Sequence, residues 1–206
     1  MKTLCRAHQQ LVDPEGEHLD AIFTDCVIEE LPASGLKLNL AAGTDIRPRP
    51  WLNLDVVSQW PSGHRCDLLW DARDGTIPFP DDSISEIYAG YLFLHIEPRF
   101  RPAMWAEIYR VLEPMTGILT VGEVDMELAM KRWLANPREK SATEMIWGEL
   151  GDVHGAELAQ FDRHTHGYTE ATLREAMEAA GFSHLRRVKI HHADVWYELT
   201  LTGVKS

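Results

Sequence analysis

The segment LKLNLAAGTDIRPRPWLNLDV, residues 36–56, contains two apolar runs separated by a turn of small residues, and the second run ends in Asp55. Short apolar runs bounded by turn residues predict buried β-strands. A dinucleotide-binding fingerprint would have three glycines, a helix, and an acidic residue about 20 positions further on. Here the turn has a single glycine, Gly43, and Asp55 follows it much sooner. The segment therefore predicts either a different kind of nucleotide pocket or a plain turn between two strands.

The rest of the chain continues the strand pattern and adds helices. Apolar segments predict strands at 36–41, 51–56, 66–71, 85–91, 117–124, 185–192 and 195–203. Helical periodicity predicts helices at 101–114 and 169–182. Strands that alternate with helices indicate a doubly wound, mostly parallel α/β sheet. Only a few residues join the last two strands, so these two must form an antiparallel hairpin.

Length and spacing predict one domain with two additions. A chain of 206 residues favours a single domain, so we assign 1–206 to one unit. Residues 1–35 form an N-terminal extension whose pattern is the least legible in the chain. Residues 126–168 form an insert between the fifth strand and the last helix, and an insert at that place is positioned to cover a pocket at the strand ends.

Charge and composition exclude several classes of function. The net charge of −12 disfavours nucleic acid as a partner, because an acidic surface repels phosphates. No apolar run reaches the roughly 18 residues that span a bilayer. Three isolated cysteines and the absence of a signal-like leader fit a reduced, cytoplasmic protein. The paired histidines at 164/166 and 191/192 lack the company of an HExxH or CxxC motif, so we expect no metal site.

Small and polar residues follow four of the predicted strands. In chain order they are Ala41, Ala42 and Gly43, then Asp55, then Asp71 and Ala72, then Tyr91 and His95. The carboxyl ends of parallel strands meet at one edge of the sheet, where ligands bind. Small residues let a ligand approach the backbone, and a carboxylate accepts hydrogen bonds from both hydroxyls of a ribose. Each position alone is also explained by a plain turn or a solvated strand end, but their order predicts an adenosine-type ligand.

Several stretches together resemble a known family. LKLNLAAG and WLNLDV, DGTIPFPDDSISEIYAGYLFLHI, WAEIYRVLEPMTGILTVGEVD and YTEATLREAMEAAGF are similar to class I S-adenosylmethionine (SAM)-dependent methyltransferases. The nearest pattern is a group with little helix after the first strand. The resemblance implies a Rossmann-like methyltransferase fold, a seven-stranded sheet whose last strand is antiparallel. It covers about residues 36–203.

The resemblance also implies a role for each candidate residue. The methionine part of SAM would lie over Ala41, Ala42 and Gly43, and Asp55 would bind the ribose. Asp71 and Ala72 would edge the adenine, and residues 90–92, with Tyr91, would line the reactive end. His95 is the candidate catalytic base for an acceptor that must lose a proton, and its alternative role is to cap the following helix.

Two functions follow from these residues. The first is SAM-dependent methyl transfer to a small-molecule or sugar-containing acceptor. The second is a methyltransferase-like binding or partner subunit without catalysis. The second is kept open by Ala41 and Ala42, which stand where the turn usually has glycines, and by Leu94, which stands where a glutamate is frequent. An alanine is tolerated in such a turn if its φ is negative and is strained otherwise.

Overall fold

The computed structural model describes residues 3–5, 10–12, 28–32, 34–148, 163–189 and 198–206. The strands in these residues are β1 Thr3–Cys5, β2 Gln10–Val12, β3 Ile28–Glu30, β4 Lys37–Leu40, β5 Trp51–Asp55, β6 Leu68–Leu69, β7 Glu86–Gly90, β8 Ile118–Val124, β9 Phe182–Arg187 and β10 Glu198–Lys205. The helices are α1 Arg101–Val111, α2 Met126–Ala135, α3 Lys140–Trp147 and α4 Glu170–Ala179, with a 3₁₀ turn at Ala72–Asp74.

Seven strands form the main sheet in the order β6-β5-β4-β7-β8-β10-β9. Strands β4 to β8 pair in parallel, whereas β10 runs antiparallel to both β8 and β9. The predicted doubly wound sheet with an antiparallel last strand is therefore confirmed. The chain steps outward from β4 to β5 and β6 and then returns to place β7 on the other side of β4. This reversal puts a topological switch point at the carboxyl ends of β4 and β7.

Several predicted boundaries were wrong. The strand predicted at 185–192 lies at Phe182–Arg187, because Gly181 takes a φ of 98° and turns the chain directly from α4 into the sheet. The helix predicted at 101–114 ends at Val111, since Leu112 is already extended. Residues 190–192 and 195–197 of the two predicted last strands lie outside the described residues. The N-terminal extension contains a small antiparallel sheet, β2-β1-β3, that its sequence pattern did not predict.

Alternate residues of the central strands pack into one apolar core with α1 and α4. Leu38, Leu54 and Ile87 are fully buried there, together with Met104 of α1 and Leu173 of α4. This apolar face is what the hydrophobic runs of the sequence predict. It anchors the strands from which the candidate site residues follow.

The opposite face of the sheet carries a row of polar residues, one from each of five adjacent strands. In register across β5, β4, β7, β8 and β10 they are Asn53, Asn39, Tyr88, Thr120 and Thr202. Asn39 Nδ2 donates to Asn53 Oδ1 at 3.0 Å, and the Arg47 guanidinium lies 3.7 Å above the Tyr88 ring. We call these five residues the polar row.

The connection between β4 and β5, residues 41–50, contains no helix and lies over the polar row. Asn39 Nδ2 donates to the Asp45 carbonyl, and Asn53 binds both the N–H and the carbonyl of Arg47. Hydrogen bonds from buried asparagines thus hold this connection where an α/β fold ordinarily has a crossover helix. The short spacing between Gly43 and Asp55 follows from that missing helix.

The described part of the insert is helical. Asp125 caps the N-terminus of helix α2, where its side chain accepts the Leu128 N–H. Helix α3 packs against α2 through the edge-to-face rings of Trp133 and Trp147. Leu94, from the loop after β7, packs with buried residues of both helices. The insert therefore lies beside the carboxyl end of β7, and its residues 149–162 are outside the described residues. Among the helices of the described residues, none is long and apolar enough to cross a membrane.

Candidate functional site

The sheet brings the candidate residues to one edge. Leu40 pairs with Leu54 on one side and Ala89 on the other, so the ends of β4, β5 and β7 are level. Asp55 pairs with Leu69 of β6. The residues that follow these strands therefore lie in spatial order from Asp71 through Asp55 and the 41–43 turn to Tyr91. The switch point of the fold, between β4 and β7, lies on this shared edge.

The turn after β4 is tight and partly strained. Gly43 has a φ of 53°, which glycine adopts freely, but Ala41 has a φ of 52° as well. A residue with a Cβ loses on the order of 1–2 kcal/mol in this left-handed conformation. Ala42 is buried and donates its N–H to the Leu54 carbonyl at 3.0 Å. The turn is thus strained at Ala41, and it is tied to β5.

Asp55 connects the turn to the end of β5. Its Oδ2 accepts the Gly43 N–H at 2.7 Å, and its Oδ1 accepts the Val57 N–H at 2.8 Å. The residue is only 4% exposed, and burial raises the pKa of its carboxyl group against the lowering effect of these N–H groups. The Trp60 side chain and the Val56 N–H also lower this pKa, so several donors already surround the carboxylate.

Asp71 and Ala72 lie at the start of the 3₁₀ turn after β6. Asp71 accepts the Arg73 N–H at 2.9 Å and also binds the Arg73 guanidinium, and the hydrogen bond from that guanidinium lowers the pKa of Asp71. An open cleft of about 470 Å³ adjoins this turn. Its lining residues are Val56, Leu69, Trp70, Asp71, Asp74, Thr76 and Pro78. A flat, mainly apolar ligand group fits the chemistry of this lining.

Tyr91 and His95 lie in the loop after β7, residues 91–96, which we call the 91–96 loop. Tyr91 has a φ of 54° and donates its N–H to the Gly122 carbonyl at 2.6 Å. His95 does not cap α1, because the helix begins after Phe100 without a side-chain cap. Its Nδ1 lies 3.4 Å from the Arg163 carbonyl, and its ring meets the His164 ring edge to face. Burial and the neighbouring His164 lower the pKa of His95 to about 3, so the imidazole is neutral at pH 7.

Sequence reasoning missed a buried acid beside this loop, Glu123 of β8. It is 0% exposed, and its Oε1 accepts the Phe93 N–H at 2.9 Å. Burial raises the pKa of Glu123 to about 8. The signal that could have found it is a single acidic residue inside the apolar run GILTVGEV.

The two histidines of the described HTH stretch have structural partners. His164 Nδ1 lies 2.9 Å from the Met145 carbonyl, and His166 packs edge to face against Tyr168. In the part of the chain that the structure describes, no three His, Cys, Asp or Glu side chains are grouped so as to hold a metal ion. His191 and His192 lie outside the described residues.

No protein-family model matches the sequence, and no curated protein matches it at a significant level. Solved structures match the fold. A SAM-dependent methyltransferase from Methanosarcina mazei has a TM-score of 0.52 at 15% identity, over 84% of this chain and 92% of that one. A possible histamine N-methyltransferase from Thermotoga maritima has a TM-score of 0.54 at 16% identity, over 85% and 84%. The DhpI–SAH complex has a TM-score of 0.53 at 16% identity, over 84% and 78%. The chain therefore has the fold of SAM-dependent methyltransferases.

Proposed function

We propose that the protein uses SAM to methylate a small-molecule or sugar-containing acceptor. One observation carries the proposal: the 41–43 turn at the switch point, Asp55 at the end of β5 and an open cleft beside β6 follow one another along the carboxyl end of a methyltransferase-like sheet. The acidic net charge of −12 favours such an acceptor over nucleic acid. The few, isolated cysteines favour a reduced, cytoplasmic setting for the reaction.

The residues at this edge fit the parts of SAM. The cleft beside Val56, Trp70 and Asp71 has room and apolar surface for an adenine ring. Asp55 lies next to the cleft, and its carboxylate is the acceptor that we assign to the ribose hydroxyls. Beyond Asp55, the 41–43 turn offers small residues to the methionine part, and Tyr91 stands at the end of β7. We therefore assign cofactor binding to Ala41, Ala42, Gly43, Asp55, Asp71, Ala72 and Tyr91.

SAM, when bound, supplies a methyl group on a sulfonium for in-line displacement. The chain's own task is to align the acceptor and to exclude water from the site. The helices α2 and α3 of the insert lie against the 91–96 loop, which supports a role for residues 126–168 in covering the acceptor. His95 is neutral at pH 7, the form that accepts a proton, although its low pKa makes it a weak base.

A second function is favoured by two specific contacts. Both oxygens of Asp55 already accept main-chain N–H groups, and Ala41 is held at a positive φ without a glycine's freedom. These features suit a turn that closes on itself and serves a binding or partner subunit without catalysis. Cofactor affinity separates the two functions, because a subunit with a closed turn would not bind SAM.

Calorimetric titration with SAM and with its demethylated product tests the proposal. We expect micromolar binding of at least one of them by the wild-type protein. The variant Leu69→Trp, which fills the cleft from a side chain that is 41% exposed, should weaken this binding at least about tenfold. The matched control is Ile118→Trp, at a residue 39% exposed at the amino end of β8, and it should bind normally. A folded protein that binds neither compound would favour the partner subunit.

A further inference from the structure

The 91–96 loop is held by hydrogen bonds from other elements. Phe93 donates its N–H to Glu123, and the Ile96 carbonyl accepts the Arg101 Nε–H at 2.9 Å. Thr165 donates its own N–H to the Leu94 carbonyl at 2.7 Å. Of the groups that hold the loop, Glu123 and Arg101 are charged residues buried in the core. They bind the loop near its middle and at its end.

A fully buried glutamate such as Glu123 is uncommon where a contact is purely structural. Its second oxygen, Oε2, has no hydrogen-bond partner in the described residues, and the same holds for Nη2 of Arg101. A buried carboxyl group that lacks a full set of partners costs several kcal/mol relative to an apolar residue of similar size. Perturbed acids of this kind cluster at functional sites. The N–H groups that reach Glu123, those of Phe93 and Leu94, both belong to the 91–96 loop.

We propose that Glu123 is a positioning residue of the methyl-transfer site, which sets the conformation of the 91–96 loop and through it the places of Tyr91 and His95. The role of Glu123 in methyl transfer rests on the proposed function. The dependence of the loop conformation on this buried carboxyl group does not require a bound cofactor.

The protonation state of Glu123 supports the same role. Several groups act on the pKa of Glu123. Burial raises it, while the N–H groups of Phe93 and Leu94 and the charge of Arg101 lower it, and the net value is about 8. Tyr91 and Tyr168 also face this carboxyl group, and His166 faces Arg101. Because the folded-state pKa is raised, the stabilisation is complete below the unfolded value near 4.5 and is lost as the pH rises through about 8.

Hydrogen exchange of the cofactor-free protein tests the proposal. In Glu123→Leu, which is apolar and of similar volume, the amides of the 91–96 loop should exchange about tenfold faster, because Phe93 has lost its acceptor. Glu123→Gln retains an acceptor for Phe93 and should restore wild-type exchange at pH 6.5. The matched control, Glu86→Leu, changes a glutamate at the opposite end of β7 and should leave the loop unchanged.

The pH dependence of hydrogen exchange in the loop provides a second, independent test. Between pH 7 and pH 9 the wild-type loop should lose protection beyond the ordinary effect of hydroxide on exchange, whereas Glu123→Gln should not. Unchanged loop exchange in a folded Glu123→Leu protein would overturn the proposal. If Glu123→Leu does not fold, Glu123→Gln decides. The proposal would be overturned if Glu123→Gln lost as much loop protection between pH 7 and pH 9 as the wild type.

Titration with the demethylated product connects the loop to the site. Glu123→Leu should bind it at least about tenfold more weakly than the wild type, and Glu123→Gln should bind it normally. Equal binding by all three proteins would overturn the positioning role. A wild-type protein that binds neither SAM nor the demethylated product would refute the proposed function, and the exchange experiment would then still decide whether Glu123 sets the loop.

Discussion

The two faces of the main sheet are built on different principles. On one face, leucines and isoleucines pack with α1 and α4 in a continuous apolar core. On the other, the polar row lies under the 41–50 connection and is joined by directed hydrogen bonds. Both faces are buried: Asn39 and Asn53 are only 1% and 2% exposed. The sheet therefore needs a helix for its apolar face but accepts a short, hydrogen-bonded connection over its polar face.

This difference between the two faces accounts for the short connection at the candidate site. A connection of ten residues cannot bury an apolar face, since it has too little side-chain area of its own. Asn53 satisfies the connection's main chain through two hydrogen bonds, to the N–H and the carbonyl of Arg47, and its side chain also binds those of Asn39 and Asp67. The Gly43 turn is thereby drawn against Asp55. The result is a compact site with a strained Ala41 in place of a glycine-rich loop.

The largest expected effect comes from the apolar face. Ile87→Ala removes a fully buried side chain and should lower the free energy of unfolding by about 2–5 kcal/mol. Urea denaturation followed by circular dichroism measures the loss. Ile118→Ala, at an exposed position of the neighbouring strand, should cost less than about 1 kcal/mol. Equal losses at the two positions would contradict a core confined to the face under α1 and α4.

Breaking the polar row should have the next largest effect. Asn53→Ala leaves the main-chain groups of Arg47 and the carboxylate of Asp67 without this partner, so unfolding should become easier by about 2–3 kcal/mol. Exchange of the amides in 41–50 should accelerate while that of α1 does not. The exposed Asn136 provides the control, and Asn136→Ala should change stability by about 0.5 kcal/mol or less. Uniform acceleration across the whole chain would argue against a local role.

The pH dependence of hydrogen exchange should distinguish the 41–50 connection from the segment 77–81. Ion pairs hold the segment 77–81 against α1. Arg110 binds the carbonyls of Ile77 and Phe79, and its hydrogen bond to Glu107 lowers the pKa of Glu107. The stabilisation that ionised Glu107 provides is present above about pH 4.5 and is lost as the pH falls through its lowered pKa. Acidification to pH 3 should therefore loosen 77–81.

Stability should depend on pH in the opposite direction at the 41–50 connection. Burial raises the pKa of Asp55, so the stabilisation that Asp55 provides is present below pH 3.8 and is lost as the pH rises through the raised pKa. The 42–45 amides should thus keep their protection at pH 3 when 77–81 has lost its own. Hydrogen exchange at pH 3 and pH 7, corrected for intrinsic rates, measures both segments in one experiment. Earlier loosening of 42–45 would contradict this assignment.

The smallest expected effect is at Ala41. Ala41→Gly removes a Cβ from a left-handed conformation and should stabilise the protein by about 0.5–1 kcal/mol after the greater freedom of glycine in the unfolded chain is counted. Ala42→Gly, at the buried neighbour without a positive φ, should instead destabilise by about 1 kcal/mol. Thermal unfolding of this pair measures the strain directly. Destabilisation in both variants would show that Ala41 is not strained.

The sequence alone determined the sheet and the order in which the candidate site residues follow its strands. Short apolar runs, an alternation of strands and helices, and a brief final connection suffice for an open parallel sheet with an antiparallel last strand, because these patterns act locally. The order of small and acidic residues after the strands follows from the same alternation. The cofactor roles of those residues stay predictions.

Only the tertiary structure decided how the site is held. The pairing of Asn39 with Asn53, the closure of Gly43 on Asp55 and the contact of Glu123 with Phe93 join residues that are distant in sequence. Each depends on the register between strands, and register is set by the packing of the whole sheet rather than by any single segment. For the same reason an acid such as Glu123 looks like any strand residue until its neighbours are known.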